Sequence, residues 1–261
     1  MKRIPCPLIA VTLFLLSFPT FAQSPQAPQH APDGSTRETF ASIFIPSKPN
    51  APFAATLNTE WIRQLPDGSN ITLKNHRIIA RDAAGRIYQE RALFVPDDGK
   101  HESAVTQIEI SDPASHERYV CRVAGHVCRV ERFFASDFAV SSVAAASSAK
   151  SGAPAVENLG TQNVTGLETI GTRKSKLVEI ATLGNEAPIL ERREFWYSPQ
   201  LGVNLITRRE DPQFSTQQNF EVTKVVLGEP DANLFALPSG YKIIDLRTPP
   251  EISAPQAPSE N

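Results

Sequence analysis

From Phe53 onward the chain is a succession of short strand-like runs, each closed by recognisable turn chemistry, with no long helical period between them. Residues 53–64 are rich in Thr, Leu, Trp and Ile and end at Pro66-Asp67-Gly68, where Asp binds local backbone and Gly accepts a positive φ. Residues 70–82 run into Ala83-Ala84-Gly85, residues 86–95 follow, and after a loop at 96–103 comes 104–111, closed by Asp112-Pro113. A hairpin containing Cys121 and Cys128 completes this meander. A second group has the same character: 159–180 with Gly166 and Gly171, then 190–197 and 203–209 joined through Ser198-Pro199-Gln200, then 214–227. Only 231–236 reads as helical, with Asp231 as its N-cap. Turn signals at this spacing predict a mostly β chain of antiparallel strands with few short helices.

The ends set the compartment. Residues 1–22 have the three parts of a signal peptide: Lys2 and Arg3, an apolar run over 8–18, and Thr20-Phe21-Ala22 before Gln23. Cleavage after Ala22 predicts a secreted or periplasmic chain. The apolar run is short for a bilayer, and no other segment approaches about 18 apolar residues, so the chain is read as not membrane-spanning. Cys6 precedes the apolar run, which is the wrong place for the acylated cysteine of a lipoprotein. Residues 23–37 and 248–261 are Pro-rich and poor in apolar surface, and are read as disordered segments around a single β domain at 38–247. Inside that domain 135–155 is an Ala/Ser-rich insert, which reads equally as a helix over 136–149 or as a linker.

Charge excludes one class of partner. Of 26 basic and 28 acidic residues, Lys2 and Arg3 leave with the signal, so the mature chain carries 24 against 28, a net charge of −4. Basic side chains are interleaved with acids, as in Glu191-Arg192-Arg193-Glu194 and Arg208-Arg209-Glu210-Asp211. No stripe follows phosphates, and no nucleic acid is expected.

Loss of Cys6 leaves two cysteines, and an exported chain with an even count points to a disulfide. Around a two-residue turn at Ala124-Gly125, alternation places Cys121 opposite Cys128. Opposed residues on paired strands lie about 4.5–5.5 Å apart at Cα, within reach of a bridge. The C-x6-C spacing has no redox-motif character.

Two blocks of residues resemble a group of secreted bacterial proteins. The first runs from Thr59-Glu60 through Leu65-Pro-Asp-Gly68 and Arg81-Asp-Ala-Ala-Gly-Arg86 to Ile110-Ser-Asp-Pro113; the second from Gly171-Thr-Arg173 through Glu194-Phe-Trp-Tyr-Ser-Pro199 to Gly228-Glu-Pro-Asp231. The second block, with Trp196 to Pro199 and the closing Phe235 to Gly240, also looks like the end of LolA-like domains, the lipoprotein-carrier and RseB-like proteins. This resemblance implies a strongly curved antiparallel sheet, an incomplete barrel, whose concave face holds an acyl chain or a partner's peptide. The chain departs from that pattern in lacking an amphipathic helix before its first strands and in carrying the Ala/Ser insert.

Catalytic chemistry has no foothold. His30, His76, His101, His116 and His126 are scattered without metal-ligand spacing, no G-x-S-x-G elbow occurs, and Asp67, Asp82, Asp112 and Asp211 sit in turn contexts. The expected protein is therefore not an enzyme and has no cofactor, catalytic residue or metal. Strand aromatics are the remaining candidates: Phe195 and Tyr197 share one face while Trp196 points to the other. With Trp61, Phe195 and Tyr197 are the weak ligand-binding set. The leading expectation is a monomer that binds a hydrophobic ligand, a lipid or lipoprotein acyl chain, in the concavity. The alternative is an envelope protein-interaction or stress-sensing module without a small ligand.

Overall fold

The computed structural model describes residues 43–133 and 155–247. Among them, the strands in chain order are β1 (Phe53–Gln64), β2 (Asn70–Arg81), β3 (Ile87–Ala92), β4 (Val95–Pro96), β5 (Val105–Asp112), β6 (Glu117–Arg122) and β7 (Val127–Arg132), then β8 (Ala155–Val164), β9 (Leu167–Val178), β10 (Ile189–Ser198), β11 (Val203–Asp211), β12 (Thr216–Leu227) and β13 (Lys242–Asp245). The strands expected from turn chemistry are present. Residues 159–180 prove to belong to a hairpin, because Thr165 and Gly166 both take positive φ, 53° and 88°, as a tight two-residue hairpin turn requires. The helical stretch is a 3-10 helix at Ala232–Phe235, and the Asp231 side chain accepts from Asn233 N at its start. The expected signal peptide, both Pro-rich segments and residues 135–154 of the insert lie outside the described residues; Ala155 already opens β8.

All these strands join one open, curved sheet in the order β13-β7-β6-β5-β3-β2-β1-β12-β11-β10-β9-β8, with β4 paired beside β2. The two groups seen in the sequence are thus continuous, and the seam is β1 against β12, paired from Phe53↔Leu227 to Arg63↔Thr216. Pairing is antiparallel except at β13, which runs parallel to β7. Curvature is visible in one side chain. Arg81 on β2 donates from Nη2 to Leu201 O in the β10–β11 turn at 2.7 Å. In a flat sheet three inter-strand spacings, about 14 Å, would separate those strands, which is further than an arginine reaches.

The inner face carries Phe53, Ala55 and Leu57 of β1, Ile79 of β2, and Phe220 and Val222 of β12, all buried in the main core. Ile43 and Ile45 of the segment leading into β1 pack into the same core. Arg81 pins that segment: Nη1 donates to Pro46 O, Nε and Nη2 to Ala51 O, and its guanidinium lies over the Phe53 ring at 5.1 Å. Burial brings this guanidinium down to about 10. A register shift in β11 places Leu205 and Ile206 consecutively in the core. On the outer face a smaller cluster of Ala80, Tyr88 and Ile110 is closed by Phe235 of the 3-10 helix.

Cys121 and Cys128 are bonded and fully buried, as directly opposed residues of β6 and β7. Their Cα atoms are 3.9 Å apart, tighter than the expected spacing of an unbridged pair. The residue that takes positive φ in the connecting turn is His126, at 46°, rather than Gly125. Replacing both cysteines with serine is expected to cost about 2–3 kcal/mol, the value for closing a short loop. Urea titration with and without reductant checks this, and the serine variant should no longer respond to reductant.

Candidate binding surfaces

The register places Trp61, Phe195 and Tyr197 apart. Trp61 is 8% exposed and faces Leu73 on β2 and Gln218 on β12. Phe195 lies three strands away, paired to Thr207, and Lys174 sits over its ring at 5.8 Å. Tyr197 is 41% exposed at the end of β10. The row running from Trp61 across the inner face is Gln218, Arg209 and Arg193, all hydrophilic, whereas the row of Phe195 runs through Thr207 and the buried core residue Phe220 to Thr59. Of the β10 aromatics, Trp196 is the one packed on the main core.

The inner face beyond the core is polar and buried. Thr59 and Asn75 face each other across β1 and β2 at 2% and 4% exposure, and Gln218 is at 7%. Thr59 Oγ1, Asn75 Oδ1 and Gln218 Oε1 have no hydrogen-bond partner. A buried acceptor left this way is costly unless water or a bound group supplies a donor. On the adjoining strands the buried Glu109 accepts from Arg91 Nε at 2.9 Å, Arg118 Nη2 at 2.8 Å and Gln107 Nε2 at 2.8 Å. Burial alone would raise this carboxyl, but the two guanidinium groups hold it below the usual range. Burial, reinforced by the charge of Arg91, brings Arg77 beside them down to about 10.

The outer face carries a transverse row of alternating charge that sequence reasoning missed. Directly opposed residues run Glu157, Arg173, Glu194, Arg208, Asn219, Glu60, Lys74 from β8 to β2. Arg173 bridges Glu157 and Glu194 at 3.0 Å each, Arg208 meets Glu194 at 2.7 Å, and Lys74 meets Glu60 at 3.4 Å and Asp97 at 2.8 Å. Glu194 also accepts from Trp196 Nε1 at 2.8 Å. Its partial burial would raise the carboxyl, but hydrogen bonds from Trp196, Arg173 and Arg208 hold it below its ordinary range. A polar cleft of about 460 Å³ opens over this row, lined by Arg173, Arg192, Glu194, Arg208 and Glu210 among others. Interleaved charge was legible locally, but which acid meets which base depends on register between strands distant in sequence.

Trp196 lies where Gly171 leaves room. A Cβ at Gly171 would meet the Trp196 ring at 2.6 Å and Leu159 Cβ at 2.8 Å. Gly171→Ala is therefore expected to displace the indole, break its bond to Glu194 and cost about 1–3 kcal/mol. Thermal unfolding with tryptophan emission checks this; a red-shifted spectrum with a lowered Tm is the expected pair of changes.

Among the described residues no group of three or more His, Cys, Asp or Glu side chains is placed to hold a metal ion, and no helix is long and apolar enough to cross a membrane. No protein-family model matches the chain, and no curated protein matches it. Among solved structures it is similar to an uncharacterized conserved protein from Thermus thermophilus, at 10% identity, covering 74% of this chain and 90% of that one, with a TM-score of 0.39. It is similar to a chain of the Pseudomonas aeruginosa MucA/MucB complex at 13% identity, 75% and 58% coverage and a TM-score of 0.40. A LolA superfamily protein from Nitrosomonas europaea matches at 10% identity, 72% and 91% coverage and a TM-score of 0.28. This chain spans little more than half the length of the MucA/MucB chain it matches.

Proposed function

We propose that this chain is an exported, non-enzymatic protein of the bacterial envelope that binds a segment of another protein along its sheet and carries no small ligand. The observation that carries this reading is the hydrophilic row beside Trp61 on the inner face, formed by Gln218, Arg209 and Arg193. An acyl chain needs a continuous dry apolar lining, and these aromatics are not gathered into one. Trp61, Phe195 and Tyr197 serve in this reading as separate apolar contact points. The signal-peptide pattern of residues 1–22 supports export.

Native mass spectrometry of the chain purified gently from a bacterial periplasm tests the proposal. A bare mature chain, two hydrogens lighter than its reduced form, is expected. A lipid-sized added mass that leaves on denaturation would overturn it in favour of lipid carriage.

A further inference from the structure

Resting on the protein-binding reading, we infer that the free edge of β8 is the docking site, and that its occupant is an extended polypeptide segment presenting a basic side chain opposite Glu157. Among the described residues β8 is the end of the sheet and pairs only with β9. Its residues are exposed from Ala155 to Asn163 except for Leu159, which is half-buried. An edge of this length is a template for another strand, and proteins that keep such an edge closed place Lys or Pro along it. The sequence of β8, Ala-Val-Glu-Asn-Leu-Gly-Thr-Gln-Asn-Val, has neither, and Glu157 is its single charge.

The geometry of the hairpin says which backbone groups are offered. Val164↔Leu167 closes the tight turn, and hydrogen-bonded and non-bonded pairs alternate from there. Thr161 and Asn163, opposite Ile170 and Glu168, therefore direct their N–H and C=O groups away from β9. The register shift at Leu159, with Gly160 at φ 82°, separates this free stretch from Glu157 without covering either part.

Charge chooses the occupant. The outer-face row alternates acid and base from Lys74 to Glu157 in every position but Asn219, and it stops at β8 with an acid. Glu157 is shared with Arg173 on one side, and its side chain remains 60% exposed on the other. A further strand continues the row if it brings Lys or Arg to that position, whereas an acidic residue there meets like charge across a strand pair. A second copy of this chain pairing through its own β8 has no basic residue to supply.

The test uses two labelled twelve-residue peptides of alternating Thr and Val, one with two lysines on one face and the other with two glutamates there. They are titrated by fluorescence anisotropy into the full exported chain, with amide hydrogen exchange read residue by residue. At low salt the basic peptide is expected to bind at least fivefold more tightly and to slow exchange at Thr161 and Asn163. Glu157→Lys should reverse the preference. Thr161→Pro, which removes an outward N–H, should abolish binding while leaving the circular dichroism spectrum unchanged. Equal binding of both peptides, or no binding of either, overturns the inference. Basic-peptide binding with protection elsewhere, on the inner face or at β13, overturns the edge assignment and leaves the protein-binding reading standing. A concentration-dependent dimer abolished by Thr161→Pro overturns it in favour of self-pairing. A lipid adduct in the periplasmic preparation is a separate result that strikes the protein-binding reading instead.

Discussion

Arg81→Met should lower the free energy of unfolding by at least about 3 kcal/mol, the largest single loss expected in this chain. The guanidinium is fully buried and makes no ion pair in the bonds it forms; it serves three main-chain carbonyls, Pro46, Ala51 and Leu201, through four hydrogen bonds. Methionine fills the volume and supplies no donor, so those carbonyls are stranded at the point where the segment before β1, the β2 end and the β10–β11 turn converge. Arg81→Lys should rescue little, because one ammonium cannot reproduce a planar fork aimed at three acceptors. Urea unfolding followed by circular dichroism measures both. A loss below about 1 kcal/mol would mean that water replaces the guanidinium, and that Arg81 does not hold the segment down.

Glu109→Gln is the second large effect, at about 2–3 kcal/mol, with a pH signature that a packing defect would not show. Glu109 is buried while its partners Arg91 and Arg118 are about a third and a quarter exposed, which reduces the cost below that of a wholly buried pair. Its carboxyl titrates below its ordinary value in the folded chain, against burial, because Arg91 and Arg118 stabilise the anion. The folded state therefore binds its proton less readily than the unfolded one. This contribution is fully present above the unfolded glutamate value of about 4.3 and is lost as pH falls through the lower folded value. The wild type should lose stability over that acid range faster than Glu109→Gln does. Glu194 titrates in the same direction, so both proteins retain a shared slope, and the difference between them isolates Glu109.

Much of the fold was legible because strand and turn signals are local. Pro66-Asp67-Gly68 gives a turn in which Asp67 accepts from Ser69 N at 2.9 Å, and Gly68 takes a φ of 84°. Asp231 caps its short helix as the residue type demands. The cysteine pair follows from alternation on either side of a short turn, which needs no information from elsewhere in the chain. The candidate surface was less legible. Alternation separates Trp196 from Phe195 and Tyr197, but it cannot say that Gly171 makes room for Trp196, or that Gln218 and Arg209 follow Trp61 across the sheet.

The sequence by itself determined most of the strands and turns and the disulfide, since each depends on residues within one hairpin of each other; it did not give the turn at Thr165-Gly166 or the strand β13. Tertiary structure decided that β1 and β12 join both groups into one sheet, that β13 adds in parallel, and that Arg81 reaches Leu201 across 120 residues of chain. It also decided that acids and bases from strands as distant as β2 and β8 form one row ending at a free edge. Those outcomes turn on long-range register and sheet curvature, where a shift of one residue would send every side chain to the opposite face.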